Sequence, residues 1–322
     1  MATGNPDFDA LLSTTLKHYT PKLEDNVFVE LPLLYWLKEA NHIEKVDGGE
    51  KLVEPLLYGQ NTTAGSYSRY DNVNTAPQEG ITSAVEEWKQ FAVTIAIDGL
   101  SEAQNNGDAA IINLLKSKID QAEMSASDAI NAMLHADGTG NSSKDWKGLT
   151  YYIPNDPTTG TVSGIDRSDA TNAWWRSKVD YPGADEVLTI ADMSAQYNLQ
   201  SRGAGKDGPD LLLGTSTLWE KYEGLLQPAQ RFSDPKTAEA GFQNLLYRSA
   251  PFTWDADTPA KVLYFLNSKY VKLKVHSNKW FKPTPFDSPI GQDARYSTIY
   301  SYGNLMVRNS SRLGALKRRL AA

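Results

Sequence analysis

The stretch SEAQNNGDAAIINLLKSKIDQAEMSASDAINAMLH, Ser101 to His135, decides how the rest of the chain is read. Ile111, Leu115, Ile119, Ala122, Ala126, Ile130 and Met133 recur at steps of three and four. The mean step of about 3.7 residues is the period of an α-helix with one apolar face. Asn113, Ser117, Asp120, Gln121, Asp128 and Asn131 fall on the other side. Asp108 suits the N-cap of the Ala109-Ala110-Ile111 start, and Gly138 and Gly140 end the run. At ~1.5 Å per residue the rod is about 40 Å long, roughly three times an ordinary helix. In a chain otherwise made of short strands and loops, such a rod is expected to be a spine. Met124 lies off the apolar stripe. A spine packed between two layers would leave it at least half buried, whereas a one-sided surface helix would expose it.

Composition narrows the classes. The 322 residues allow one large or two modest domains. Hydrophobic residues at 40% and charged residues at 22% support a packed core. The 16 Tyr and 8 Trp suit surfaces where an apolar body meets a wet edge, interfaces among them. Cysteine is absent, which excludes disulfides, thiolate metal sites and cysteine nucleophiles and fits a reducing compartment. A net charge of −7 argues against a protein that grips nucleic acid by its phosphates. No run approaches the ~20 apolar residues of a membrane span, and MATGNPDFDALL has no secretion-signal pattern.

Outward from the long helix, the chain divides by pattern. Residues 1–47 read as an arm, interrupted by Pro6, Pro21 and Pro32. Its apolar clusters, around Phe8 and around Tyr35-Trp36, must lie against the rest of the chain or against another chain. A short helix starts at Pro32. Lys51–Tyr58 reads as an edge strand because of Pro55, and Val85–Ile97 as a stronger strand by its alternation. Between them, Gly59–Ser83 is polar and long for a compact domain, with Tyr58, Tyr67, Arg69 and Tyr70 scattered along it. It is either a surface loop or a two-stranded projection that packs on a neighbouring molecule. Beyond Asp185 the pattern is α/β. Thr189–Asp192 and Thr217–Glu220 resemble capping boxes. Strands are expected at Asp210–Gly214, Phe242–Tyr247, Phe252–Trp254, Val262–Leu266 and Tyr270–Val275, and at Ser297–Val307 with a break at Gly303-Asn304.

Chemistry-bearing motifs are sparse. No two of His18, His42, His135 and His276 have helical metal spacing. Gly203–Gly208 spells G-x-G-x-x-G, but a helix precedes it and a strand follows, the reverse of a dinucleotide fingerprint. Asp137–Asn141 resembles a calcium loop only superficially, since Gly148 stands where the last ligand is needed. Asp255 and Asp257 beside Pro259 are a spaced carboxylate pair, better suited to a turn than to glycosidase or metal chemistry. Arg308, Arg312, Lys317, Arg318 and Arg319 form a basic tail. It is expected to be a solvated terminus, with an acidic neighbour or enclosed nucleic acid as the alternative. No catalytic residue, cofactor or metal is expected.

The order of parts, and local wording such as Pro209–Thr215, Trp219–Tyr222, Gly241–Phe242 through Pro251–Asp255, Tyr264–Tyr270, Ile165–Arg167 and Asn172–Arg176, resembles the major capsid proteins of tailed bacteriophages, the Hong Kong ninety-seven fold. The resemblance implies an α+β subunit with an N-terminal arm (1–47), an extended hairpin or E-loop (48–99), a peripheral domain with spine helix (100–146 and 278–322) and an axial domain (147–277). It implies self-assembly as hexamers and pentamers into an icosahedral head enclosing double-stranded DNA, weakly contacted, with no enzymatic activity and no membrane. A separate scaffolding protein and a portal would be partners, with a decoration protein as another, and assembly would take place in the host cytoplasm. Tyr58, Tyr67, Arg69, Tyr70, Phe8, Tyr35 and Trp36 are the expected subunit contacts. The competing readings are a carbohydrate-active enzyme using Asp255 or Asp257, and a phage tail or adhesion protein.

Overall fold

The computed structural model describes residues 31–39, 41–100, 108–201, 207–226, 244–288 and 291–320. Phe8, His18, the first 30 residues, Gly203–Lys206 and Phe242 lie outside them, as do the side chains of Asp108, Ile111, Asn113, Leu115 and Ser117.

In chain order, helix α1 (Pro32–Glu39) leads into strands β1 (Ile43–Val46), β2 (Leu52–Leu57), β3 (Ile81–Glu86) and β4 (Lys89–Asp98). The long helix α2 (Asp108–His135, 28 residues) and the short α3 (Leu149–Tyr152) follow. Next come β5 (Thr161–Val162), β6 (Ile165–Asp166), β7 (Lys178–Asp180), β8 (Glu186–Val187), α4 (Ile190–Gln200), β9 (Leu211–Gly214) and α5 (Ser216–Leu225). The chain closes through β10 (Asn244–Tyr247), β11 (Ala250–Trp254), β12 (Leu263–Leu266), β13 (Val271–His276), β14 (Lys282–Pro283), β15 (Ala294–Val307), β16 (Gly314–Leu316) and β17 (Arg319–Leu320).

Two sheets organise these elements. The first has the order β1-β13-β15-β14, with β4 also on β15; the second runs β10-β11-β9-β12-β16-β7. The chain passes between the two sheets three times, from β4 to β7, from β12 to β13 and from β15 to β16. One core spans both sheets and α2, holding Ile119, Ile130, Leu134, Trp146, Leu213, Tyr264, Leu273 and Leu305. A second core lies on the opposite face of the second sheet, where Met193, Leu218 and Tyr222 of α4 and α5 cover Leu212, Phe252, Leu263 and Phe265. Residues of β9 and β12 therefore alternate between two cores. That is why LLLG and LYFL are apolar throughout rather than alternating.

The sequence expectations meet mixed outcomes. On α2, Ile119, Ala122, Ala126 and Ile130 are buried, and Met133 is half-buried against the core. Asp120, Gln121 and Asp128 are exposed, as their side of the helix requires. Asn131, expected on that polar side, is buried instead, because its amide is held by the turn after β11. Met124 is 66% exposed, so within one subunit the helix is packed on one side only, and the two-layer expectation is overturned. Ser297–Val307 belongs to one unbroken strand beginning at Ala294. Gly303 is a point of close approach, not a break: a Cβ there would sit 2.6 Å from the Lys274 carbonyl oxygen. The Thr189 capping box is present, with Asp192 closing it. The Thr217 box is not, since α5 starts two residues earlier, with Thr215 at its N-cap and no side-chain cap bond.

The basic tail is also corrected. Arg319 is buried among Asp180, Glu186 and Asp192, and Lys317 donates to the Ile153 carbonyl (2.7 Å) and Asn155 Oδ1 (2.9 Å). Arg308 pairs with Glu54, Arg312 donates to the Gln200 carbonyl, and Arg318 to those of Pro182 and Gly183. These cations are consumed within the chain itself because β16 and β17 run through its body. Among the described residues no helix is long and apolar enough to cross a membrane.

Candidate assembly surfaces

Within the expected 48–99 projection only β2 and β3 form a hairpin; β4 joins the first sheet beside β15, so the strand expected at Val85–Ile97 is split in two. β2 and β3 pair antiparallel in strict register, Leu52 opposite Glu86 and Leu57 opposite Ile81. Pleating sends alternate residues to opposite faces. Leu52, Glu54, Leu56, Ala84 and Glu86 are buried against the body. Val53, Leu57 and Ile81 point outward, and Leu57 and Ile81 are 79% and 78% exposed. Leu57 and Ile81, opposite one another across the strands, make an exposed apolar patch of the kind that marks an interaction surface.

Two buried carboxylates anchor the inward face. Glu54 Oε2 accepts from Lys274 Nζ at 2.6 Å, and Arg308 reaches its other oxygen. Glu86 Oε2 accepts from Lys147 Nζ at 2.6 Å, and Glu86 Oε1 accepts from Ser163 Oγ at 2.7 Å. Burial works against the Lys147 ammonium, but its bonds to Glu86 and the Tyr151 hydroxyl outweigh this and hold its pKa above the ordinary lysine value. Burial, followed by the Glu86 charge, pushes the neighbouring Tyr152 hydroxyl well above its usual range. None of these anchors was singled out from sequence. The available signal was Leu52-x-Glu54-x-Leu56, which puts a carboxylate on the apolar side of an alternating strand.

The expected contact residues fall into two groups. Tyr67, Arg69 and Tyr70 lie on the irregular tip and are exposed, Tyr70 at 94%. The tip is tied by Gln78 Oε1, which accepts from the Thr62 hydroxyl at 2.8 Å. Tyr58, at the root, stacks on Trp174 with ring centroids 5.1 Å apart, so one of its faces is used within the subunit. Tyr35 and Trp36 are half-buried on α1, which packs through Leu33, Leu34 and Leu37 onto its own subunit's core. The Trp36 side chain bonds the Asp210 carboxyl, whose pKa burial nonetheless raises. The structure does not bring the tip and α1 residues together.

The Asp255–Asp257 pair has a structural explanation. The Asn131 side-chain amide donates to Asp255 Oδ1 (2.8 Å) and to Asp257 Oδ2 (2.7 Å), fastening the turn after β11 to α2. His135, one helical turn on, points Nδ1 at the Asn131 carbonyl at 2.9 Å, and its Nε2 lies 3.9 Å from Asp255 Oδ2. Asp137, the start of the calcium-like stretch, instead accepts from the amide and hydroxyl of Thr139, which lowers its pKa.

Against solved structures the likeness is extensive. The chain superposes on the capsid asymmetric unit of cyanophage A-1(L) with a TM-score of 0.69 and 20% identity, covering 91% of this chain and 93% of that one. The fold is that of a phage capsid subunit. The capsid of a native GTA particle matches at a TM-score of 0.57 and 10% identity, over 87% and 89% of the two chains. An encapsulin complex from Synechococcus elongatus matches at 0.53 and 11%, over 89% and 88%. No protein-family model and no curated protein sequence matches the chain. The capsid fold places the hairpin, the long helix and the two sheets in one subunit, with the outward hairpin face uncovered.

Proposed function

We propose that the chain is a major capsid protein, the repeating subunit of an icosahedral phage head around double-stranded DNA. The observation that carries this reading is the superposition on a cyanophage capsid subunit over nine-tenths of both chains. The uncovered apolar face of the hairpin supports it: Val53, Leu57 and Ile81 need a partner surface, and a neighbouring copy supplies one. In this reading the tip residues Tyr67, Arg69 and Tyr70 touch that copy, and each subunit interface buries on the order of 2,000 Å² or more, as obligate interfaces do. The first sheet with α2 forms the peripheral domain and the second sheet the axial domain. Strand pairing supports grouping Val271–His276 with the former and Gly314–Leu316 with the latter. A scaffolding protein, a portal and a decoration protein are the further partners this reading expects, with assembly in the host cytoplasm. The work of the chain is association, not catalysis.

The test is expression of the full chain followed by negative-stain electron microscopy and size-exclusion chromatography. Closed isometric particles carry the reading. Open tubes, or a chain that stays monomeric even when co-expressed with its scaffolding protein, would sink it.

A further inference from the structure

β4 pairs with β15 one-to-one from Lys89 to Asp98, without a bulge. Among the described residues no strand lies along its other edge. Long free edges are usually blunted by proline, lysine or a bulge. Gln90–Ile97, QFAVTIAI, contains neither proline nor lysine.

At the start of this edge an open cleft of about 450 Å³ lies between β4 and the turn Asn141–Lys144. Trp88, Phe91 and Tyr300 give it aromatic walls, Lys89 and Lys144 give it charge, and no carboxylate lines it. Trp88 is fixed in place, since its Nε1 donates to the Gly49 carbonyl at 2.8 Å and its ring lies against His276. Lys89 Nζ donates to the Ser143 carbonyl and so ties the turn to the strand. The turn is strained. Asn141, Ser142 and Ser143 have φ of 48°, 57° and 63°, three successive left-handed residues that are not glycine. Side chains other than glycine enter this region against a steric cost, least for Asn. Strain of this kind is retained where the surroundings over-determine it, and it clusters at binding sites.

We propose that this cleft and the free edge of β4 together receive an extended acidic segment of a partner protein. The segment adds as a strand to β4 and sets a carboxylate between Lys89 and Lys144. Each element of the site contributes a separate demand. The edge offers alternating amide donors and carbonyl acceptors, which match a peptide main chain and not a phosphodiester. The aromatic walls take an apolar side chain of the segment. The two ammonium groups, with no carboxylate of their own in the cleft, select for negative charge.

The experiment uses the immobilised full-length chain and a random dodecapeptide library, with the Lys89→Glu/Lys144→Glu variant for counter-selection. Retained peptides should alternate acidic and β-branched residues and should bind the variant about tenfold more weakly. On binding, every second amide of Gln90–Ile97 should gain protection from hydrogen exchange, which a purely electrostatic contact would not produce. If the double variant misfolds, Lys144→Glu alone, at an exposed side chain, should still weaken binding. Three outcomes would overturn the proposal. The first is peptides without an excess of carboxylates, or retained equally by the variant. The second is lysine-dependent binding of oligothymidine but of no peptide. The third is a consensus that matches a segment of this chain itself, which would make the occupant a second copy.

Discussion

At the scale of single residues, charge burial is what the structure adds. Glu54 and Lys274 are each about 5% exposed and face one another at 2.6 Å. Removing one member of such a pair leaves the other charge buried and uncompensated, at a cost of ~3–5 kcal/mol. Glu54→Gln should therefore lower the free energy of unfolding by about that amount in chemical denaturation. A loss below ~1 kcal/mol would show that the pair does not hold the hairpin. Lys317 gives a second case with the opposite sign. Burial lowers its pKa from 10.5 to about 8, and its partners are a carbonyl and an amide, not a carboxylate. Between those two pH values the unfolded chain binds more protons than the folded one, so this group makes stability rise with pH across that window. Below about pH 8 it imposes a constant penalty. Denaturation at several pH values should show wild type gaining up to ~3 kcal/mol relative to Lys317→Met between pH 8 and 10.5. Parallel profiles for the two proteins would refute it.

At the scale of elements, the long helix is seated by the turn that follows it. A Cβ on Gly148 would lie 2.4 Å from both the Met133 and Leu134 carbonyl oxygens, and Thr150 Oγ1 donates to the His135 carbonyl at 2.6 Å. Only glycine lets that turn lie so close to the helix end. Gly148→Ala should displace it and cost about 1–3 kcal/mol or more, read as a lower melting temperature. The hairpin behaves differently, because its tip makes no use of the core. Replacing the tip between Tyr58 and Ile81 by a short turn should leave a soluble protein with unchanged circular dichroism that forms no shells. Normal assembly of that variant would show that the tip is not a contact.

At the scale of the whole molecule, the fold leaves apolar side chains uncovered. Its cores are closed, yet Val53, Leu57, Ile81 and Met124 remain in water. A neighbouring copy that covers the hairpin face should remove Leu57 and Ile81 from solvent. Leu57→Glu/Ile81→Glu should then keep the monomer folded and abolish shell formation by negative-stain microscopy. Shells formed by this variant would rule out the hairpin face as an interface.

Sequence alone determined the elements whose signal is local. The period of Ile119, Ala122, Ala126 and Ile130 located the long helix, alternation along Phe91–Ile97 located β4, and Thr189 with Asp192 capped α4. It left Gly59–Ser83 open between a surface loop and a two-stranded projection, and only the fold showed that Ile81–Glu86 is the partner strand of β2 while β4 pairs with β15. Tertiary structure decided whatever depended on partners distant in the chain. Asn131 is buried by a turn more than a hundred residues away, Gly303 continues a strand at its close approach to Lys274, and Arg319 of the basic tail is buried inside the chain against Asp180 and Glu186. The physical reason is the same in each case. Periodicity reports which face of an element avoids water, but a polar group's burial is set by whether its counter-charge or hydrogen-bond partner arrives from elsewhere in the fold.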